Sequence, residues 1–532
     1  MKIVLVAPPY PLEEIPSPPL GICYAAAACE AAGAEVVILD YIVRKYTPEK
    51  LTTELDALKP DAIGTSSVTM NFTAAADIMR RAKKNNPSVI TMMGGPHVSF
   101  DIENTLTTYP EIDLIVIGEG EETLKELVPR LSTRDSWHGI KGIAFKEKGK
   151  IVFTEPRELI QDLDTLPLPA RHLLPMSRYL ALGFPVSIIT SRGCPNRCIF
   201  CQGRRMVGYK VRHRKPKLVV DEIKDILSYG WTRINIADDI FTANKERVLE
   251  ICSEIKKRAV SFTWSAFARV NTVDREIIEA MREAGCDSVS FGIESGNPEM
   301  LKRIKKGITL DQARKATKYC KDAGMITHAS FMVGLPGESE ETMRDSGNFA
   351  EELDIQYGYH FLAPFPGTTV REKIEDYDLD ILTDDWDLYD ANSAIVRTSQ
   401  LAPKDMENFV SALTEMHQDE WRKTEKKYHE GTCTPDEHIQ IEGFYRMQII
   451  FRLLSEDLIE TITTSEDEED PVGELCDKIS EIIADIECNE LVKRTITSLL
   501  DAEYIKSKRS DGTITWYWTH NNRLDELPVS HP

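Results

Sequence analysis

Paired cysteines, long apolar runs and a surplus of positive charge are all missing from this chain. Its 11 Cys residues are scattered and odd in number, which excludes a disulfide-built secreted scaffold and fits a reducing cytosol. No apolar stretch approaches the roughly 20 residues of a membrane span; the Ala-rich segment from Ile22 to Leu39 is interrupted by Glu30 and Glu35. The start, Met1-Lys2-Ile3-Val4-Leu5-Val6-Ala7-Pro8-Pro9, is too short and too soon broken by proline for a signal peptide and reads as a first strand. With 64 Lys and Arg against 86 Asp and Glu, the formal net charge is -22. That balance argues against wholesale binding to nucleic-acid phosphate. What remains is a soluble, cytoplasmic chain of 532 residues, enough for roughly three domains, with 42% apolar content for packed cores.

The most informative stretch is Ser191-Arg192-Gly193-Cys194-Pro195-Asn196-Arg197-Cys198-Ile199-Phe200-Cys201-Gln202-Gly203, a CxxxCxxC run directly after the apolar segment Val186-Ser187-Ile188-Ile189-Thr190. Closely spaced thiolates on one loop can wrap one face of a cuboidal iron–sulfur cluster. Three ligands to a [4Fe–4S] cube leave one iron open to a substrate or cofactor. Two other readings exist: a zinc site, which prefers four closed ligands and finds no second pair nearby, and three unrelated buried thiols. Gly, Pro and Arg around the thiols describe a loop rather than a core.

Strand, loop and helix alternate on both sides of this run. Before it, strands are expected at Lys2 to Ala7, Val36 to Asp40, Asp61 to Ser67, Val89 to Gly94 and Leu114 to Ile117. Such alternation suggests a doubly wound parallel sheet with ligands held at the carboxyl ends of its strands. After it, counting from Val186, six strands with helices between them suggest a partial (β/α)6 barrel with its chemistry at the same ends. The expected fold class is α/β. Residues 1–135 form the first domain, 136–185 a proline-stiffened connector, 186–375 the barrel and 376–532 a mostly helical region. In that last region Leu401 to Lys427, Ile441 to Ile459 and Val472 to Leu500 are helical by spacing, Ser465 to Asp470 is an exposed acidic run, and Trp516-Tyr517-Trp518 alternates like a strand. Cys433, Cys476 and Cys488 lie too far apart to suggest a second cluster.

The Cys spacing, the aromatic Phe200 before the last thiol and the preceding strand resemble the radical S-adenosylmethionine (SAM) superfamily. Membership implies that Cys194, Cys198 and Cys201 hold a [4Fe–4S] cluster whose open iron chelates S-adenosyl-L-methionine, and that an electron from the cluster cleaves SAM to methionine and a 5′-deoxyadenosyl radical. The resemblance also implies roles for the strand ends. Asp238 and Asp239 would face the SAM ammonium, where charge complementarity supports them, and Arg269 its carboxylate. Glu294 and Ser295 would meet the ribose hydroxyls. Gly334 to Gly337, with Pro336, and the turn Pro364-Phe365-Pro366-Gly367 would contact adenine. An acidic pair on a loop is otherwise simply solvated or a helix cap.

The first domain resembles the cobalamin (B12)-binding domain that precedes many radical SAM cores. The matching pieces are Pro18-Pro19-Leu20-Gly21, Thr65-Ser66-Ser67, Gly94-Gly95-Pro96-His97 and Gly118-Glu119-Gly120-Glu121. Glycine lets backbone approach a flat macrocycle, and the hydroxyls can bond its side arms. The Asp-x-His-x-x-Gly motif of classical B12 enzymes is absent, so the resemblance implies cobalamin held without a protein histidine on cobalt. His97 is the alternative ligand, although a satisfied loop histidine is the commoner outcome. A ligand-free flavodoxin-like fold is the plain alternative for the domain.

Together these features imply a cobalamin-dependent radical SAM enzyme that methylates an unactivated carbon of a small molecule by way of methylcobalamin. The alternatives are an oxidative, ring-forming catalyst of the anaerobic magnesium-protoporphyrin monomethyl ester cyclase type and a sensor that binds without turnover. A flavodoxin or ferredoxin reductant, an anaerobic or microaerobic cell, no nucleic-acid partner and no membrane span complete the expectation.

Overall fold

The computed structural model describes residues 1–483 and 489–519. Five parallel strands open the chain: β1 (Lys2–Ala7), β2 (Glu35–Asp40), β3 (Ala62–Ser66), β4 (Ile90–Gly94) and β5 (Leu114–Val116). Alternate residues of β1 face opposite ways, as strand geometry requires. Ile3, Leu5 and Ala7 pack with the helix Leu20–Ala31 on one face, and Val4 and Val6 with the helices Pro48–Leu58 and Phe72–Asn85 on the other. Cover on both faces explains why β1 reads as an unbroken apolar run. The strand order β2-β1-β3-β4-β5 reverses direction between β1 and β3, which opens a crevice at the carboxyl ends there.

Residues 136–185 do more than connect. Strands β6 (Ile143–Glu147) and β7 (Lys150–Phe153) pair antiparallel and extend the first sheet beyond β5. The helix Met176–Leu182 follows.

The second sheet has six parallel strands in the order β15-β14-β13-β12-β11-β8, with β8 and β15 at its two edges. They are β8 (Val186–Ile188), β11 (Arg233–Ile236), β12 (Thr263–Ala268), β13 (Cys286–Glu294), β14 (Ile326–Val333) and β15 (Gln356–Phe361). Between β8 and β11 the short strands β9 (Ser191–Arg192) and β10 (Arg212–His213) form an antiparallel ribbon that brackets the Cys loop. Along β14 the buried Thr327, Ala329, Phe331 and Val333 alternate with half-exposed His328, Ser330 and Met332, so one face of this partial barrel carries polar side chains beside apolar ones such as Met332, and the other is buried.

The C-terminal region carries the helices Pro403–His429, Pro435–Ser455, Pro471–Ile482 and Asn489–Asp501. A three-stranded antiparallel sheet is built from Thr463–Ser465, Ile505–Ser510 and Thr513–Trp518. Part of the helical stretch expected over 472–500, and Cys488, lie outside the described residues. In the acidic run, Asp470 caps the helix Pro471–Ile482 by accepting from the Gly473 amide at 2.9 Å. Among the described residues no helix is long and apolar enough to cross a membrane.

Buried charge joins these parts. The Arg178 side chain, 2% exposed, reaches Glu460 and Asp457 of the C-terminal region, donates to the Val43 carbonyl at 3.0 Å and lies over the Trp518 ring. The adjacent Tyr179 hydroxyl donates to Asp40 Oδ2 at 2.7 Å. Breaking a buried pair while leaving its partners in place costs several kcal/mol. Arg178→Ala is therefore expected to remove about 3 kcal/mol of stability, seen as a lowered denaturant midpoint, whereas Arg134→Ala, at an exposed residue that starts the short helix Arg134–Gly139, should leave the midpoint nearly unchanged.

Candidate active site

The carboxyl ends of β3, β4 and β5 face the Cys loop across a cavity of about 360 Å³. From the first domain, Leu20 and Gly21 at the start of a helix line it, together with Thr65, Ser66, Gly94, Gly95, Pro96, Gly118, Glu119 and Gly120 at strand ends. From the barrel side come Ile189, Ser191, Arg192, Met206, Val207, Ala237 and Asp239. A Cβ built on Gly21 or Gly118 would meet nothing within 4 Å, so backbone lies bare toward this space. Gly95, at φ +100°, has no such freedom: a Cβ would stand 2.5 Å from the Ser67 carbonyl oxygen.

Two residues expected at this cavity lie away from it. Ser67 is buried and its amide donates to the Gly94 carbonyl. His97 sits in the short helix Pro96–Phe100, where its ring is stacked on Phe72 at 3.9 Å and edge-on to Trp386. Its Nδ1 is 3.2 Å from Thr69 Oγ1. Burial, with the Arg371 charge adding to it, pushes the imidazole down to about 3, so it is neutral at physiological pH. Reaching the cavity would mean leaving an aromatic slot.

The Cys loop is fastened at several points. The Gly193 amide donates to Asp239 Oδ2 at 3.1 Å, the Cys194 amide to the Gly208 carbonyl at 3.0 Å and the Ile199 amide to the Ile304 carbonyl at 3.2 Å. Gly193, at φ +113°, admits no side chain because a Cβ would collide with the Lys210 carbonyl. Each sulfur has a nitrogen donor near it: Asn196 Nδ2 at 3.4 Å from Cys194, Arg269 Nη1 at 3.8 Å from Cys198, and the Gly203 amide at 3.3 Å from Cys201. Donors to sulfur favour thiolate and tune a cluster bound there. Among the described residues no three His, Cys, Asp or Glu side chains converge to hold a single metal ion.

The strand ends divide into groups beside the loop and groups held by the fold. Arg269 donates to the Lys306 carbonyl as well as approaching Cys198. Glu294, in the left-handed region at φ 72°, pairs with the buried Lys306 at 2.7 Å, and Lys306 lies over the Phe200 ring. A non-glycine residue held there stores about 1–3 kcal/mol of strain. Phe200, Arg269, Glu294 and Lys306 therefore form one group beside Cys198. Asp239 faces the cavity, and burial, with Asp238 adding to it, raises its carboxyl above the ordinary range.

Asp238 is differently placed. Its Oδ1 accepts from the Thr190 amide at 2.5 Å, and its Oδ2 from the Thr190 and Ser191 hydroxyls at 2.5 and 2.6 Å; both oxygens tie β11 to the end of β8. Ser295, fully buried, bonds Ser346 and the Asn297 amide. Gly334 packs its bare face against Val396 and Met406, while the Pro336 carbonyl accepts from Arg303 at 3.0 Å. The Pro366 carbonyl accepts from Gln202, directly after Cys201. Sequence reasoning passed over Lys306 and gave Arg192 no role; a loop closure brings Lys306 to the site, and the tertiary fold brings Glu119 and Glu121 to Arg192.

Arg192 fixes the two halves together. It bonds Glu119 at 3.1 Å and Glu121 at 2.5 Å, and Arg212 holds the same Glu119 carboxylate through contacts of 2.8 and 2.9 Å. Burial disfavours the Glu119 charge, yet the Arg212 hydrogen bonds and Arg192 outweigh it and keep the carboxyl below the usual range. The strand-end loop of the first domain is thus locked to the residues that open the Cys loop.

Over 397 residues the chain is 38% identical to an uncharacterized methyltransferase of Pyrococcus horikoshii, covering 73% of this chain and 86% of that one. Residues 188–350 match the Radical SAM superfamily and residues 15–128 the B12 binding domain. The chain belongs to the cobalamin-binding radical SAM family. It is an enzyme whose cofactors are a [4Fe–4S] cluster, SAM and cobalamin. It is also 29% identical over 372 residues to the anaerobic magnesium-protoporphyrin IX monomethyl ester cyclase of Rubrivivax gelatinosus, covering 68% of this chain and 66% of the cyclase. Its fold is that of the cobalamin-dependent S-adenosylmethionine radical enzyme OxsB, solved with aqua-cobalamin bound, with a TM-score of 0.67, 19% identity, and coverage of 94% of this chain and 80% of that one.

The residues fit these groups. Bare glycine backbone and the hydroxyls of Thr65 and Ser66, among others, border a cavity suited to a flat ligand with amide arms, and three thiols with nearby donors suit a cluster with one open iron. Because His97 is held in its aromatic slot, bound cob(II)alamin is expected to show an EPR spectrum without nitrogen superhyperfine splitting from a protein ligand. Splitting that His97→Phe abolishes would contradict this placement.

Proposed function

We propose that this enzyme methylates a carbon of a small-molecule substrate, using cobalamin bound in the first domain and SAM bound at the barrel mouth. The observation that carries the reading is the single cavity bordered both by the strand ends of the first domain and by residues flanking the Cys loop. When bound, the cofactors would supply the reactive chemistry: one electron from the cluster would split SAM into methionine and a 5′-deoxyadenosyl radical, that radical would take a hydrogen atom from the substrate carbon, and methylcobalamin would supply the methyl group in its place. The chain supplies position.

In this reading Cys194, Cys198 and Cys201 hold the cluster, and Asn196, Arg269 and the Gly203 amide stabilise their sulfurs. Arg269 and Lys306 present positive charge to the SAM carboxylate, with Glu294 fixing Lys306. Asp239, rather than the fully engaged Asp238, is the carboxyl free to meet the SAM ammonium. Leu20, Gly21, Thr65, Ser66, Gly94, Gly95, Pro96, Gly118 and Gly120 border the corrin, while Glu119 holds the clamp. The inner face of the barrel sheet, with Asn235, Ser265, Ser290, His328 and Ser330 half-exposed, offers hydrogen bonds to a substrate. The domains are assigned as 1–135, 186–375 and 376–532, joined through 136–185, and a flavodoxin or ferredoxin is the assigned electron source. The name of the Pyrococcus relative supports methyl transfer.

The test uses protein reconstituted without oxygen and supplied with hydroxocobalamin, dithionite and SAM bearing a deuterated methyl group. The reading expects 5′-deoxyadenosine, S-adenosylhomocysteine and a labelled methyl group on cobalamin. Cys194→Ala should abolish deoxyadenosine while cobalamin stays bound. Deoxyadenosine without S-adenosylhomocysteine would favour the oxidative cyclase reading, and undiminished deoxyadenosine from the variant would remove Cys194 from the cluster.

A further inference from the structure

The two parallel sheets differ in what covers their second face. The first is packed on both faces, whereas one face of the second stays half-exposed from β12 to β15. A barrel interior is ordinarily filled by branched aliphatic side chains. Here the register sets Ser290 of β13 beside His328 of β14, and the next row on the same face sets Gly292 beside Ser330 and Gly358. Small side chains and bare backbone leave room along these rows. Phe267 of β12, in register with Ser290, stands 49% exposed at the end of the first row.

Charge near this face is paired at its two ends. Arg233, at the start of β11, holds Asp287 through a contact of 2.8 Å, and Glu294, at the end of β13, holds Lys306 at 2.7 Å. The Glu294–Lys306 pair lies across Gly292, where a Cβ would meet both side chains. Between these ends the strands carry one titratable side chain on this face, His328. Its Nε2 lies beside the bare backbone of Gly358, 3.7 Å from where a Cβ would stand, and its ring makes no hydrogen bond among the described residues. Burial, with the neighbouring His360 adding to it, holds the imidazole below its ordinary range. His328 is therefore neutral at physiological pH, with one bare nitrogen to accept a hydrogen bond.

From this wall we propose that the part of the substrate next to its reacting carbon is an uncharged flat ring bearing an O–H or N–H donor, its face against Phe267 and its donor on the His328 imidazole. The inference deepens the methyltransferase reading and rests on it. The face of Phe267 suits another ring, and two strand spacings, about 10 Å, separate it from His328, the reach of a bicyclic ring with one hydroxyl. A carboxylate or ammonium placed here would find no free counter-charge among the described residues, and an ion taken from water without one is costly. Ser290 lies two residues before Gly292, about 7 Å along the strand. A ring on the Ser290 row thus sits one row below the Glu294–Lys306 pair and the groups beside Cys198, and His328 fixes which of its carbons points toward them.

The test uses the full chain loaded with cobalamin and SAM, its cluster kept oxidised so that SAM stays intact. The probes are 2-naphthol, 2-methoxynaphthalene, 2-naphthoate and 2-naphthylmethylammonium, and binding is measured by equilibrium dialysis for the unaltered protein, Phe267→Ala and His328→Phe. The proposal expects 2-naphthol to bind about tenfold more tightly than its methyl ether and than either ion. His328→Phe should erase the preference for naphthol over the ether, with retained cobalamin and an unchanged melting midpoint showing the fold intact, and Phe267→Ala should weaken both neutral probes alike. Equal binding of naphthol and its ether, tighter binding of either ion, binding of none of the probes, or a preference that survives His328→Phe would each overturn it. If a variant does not fold, the comparison of probes on the unaltered protein still decides. Dialysis does not depend on turnover, so absence of S-adenosylhomocysteine in the assay above would count against methyl transfer and not against the recognition of the ring.

Discussion

A single buried carboxylate, Glu119, held between the guanidiniums of Arg192 and Arg212, ties the cofactor loops of one domain to the cluster loop of the other. Each charge alone would be costly away from water; together, with the Ile160 amide also donating to Glu119 at 2.9 Å, they satisfy one another. The geometry follows from chain order. Arg192 lies two residues before Cys194, and Glu119 lies within the turn that ends β5. Fixing that pair fixes the distance between a strand-end crevice and a thiol loop, and so creates the cavity between them. A radical formed at one wall of such a cavity is shielded from water and close to whatever the other wall holds.

Around that clamp the two sheets present the same feature to each other. A parallel strand delivers its loop at its carboxyl end, and here β3, β4 and β5 deliver theirs opposite the loop that follows β8. The second sheet stays open, its edge strands β8 and β15 unjoined, and one of its faces keeps His328 and Ser330 half-exposed because alternate residues of β14 point opposite ways. Arg178 and Tyr179 secure the outer side, where the first domain, the connector helix and the C-terminal region meet. The protein thus holds its reacting parts by charge pairs placed at the seams between domains, while the interiors of the domains are apolar.

The architecture was legible in the sequence because strand and helix periodicities, glycine-ended strands and the CxxxCxxC spacing are local signals. Thr65, Gly95 and Gly118 could be placed at strand ends from the residues that precede them. Local signals do not say which partner a polar side chain will find. Asp238 and Asp239 are neighbours in sequence with equal prior chances, yet one is bound by Thr190 and Ser191 and the other faces the cavity, because adjacent residues at a strand end diverge. His97 is one residue beyond a cavity-lining proline and turns into an aromatic slot that Phe72 and Trp386 build from distant parts of the chain. Lys306 reaches the site only through tertiary closure, and closure likewise brings Glu119 and Glu121 to Arg192; no spacing rule encodes either.

The pairing of Glu119 with Arg192 would hold cobalamin and the cluster at opposite walls of one cavity. The most direct measurement is the electron spin relaxation of cob(II)alamin in the intact enzyme, compared with the cluster oxidised and with the cluster reduced. Faster relaxation and a broadened cob(II)alamin signal are expected when the cluster is reduced, with the effect diminished in Glu119→Ala, where the clamp is cut. A cob(II)alamin signal indifferent to the state of the cluster would contradict it.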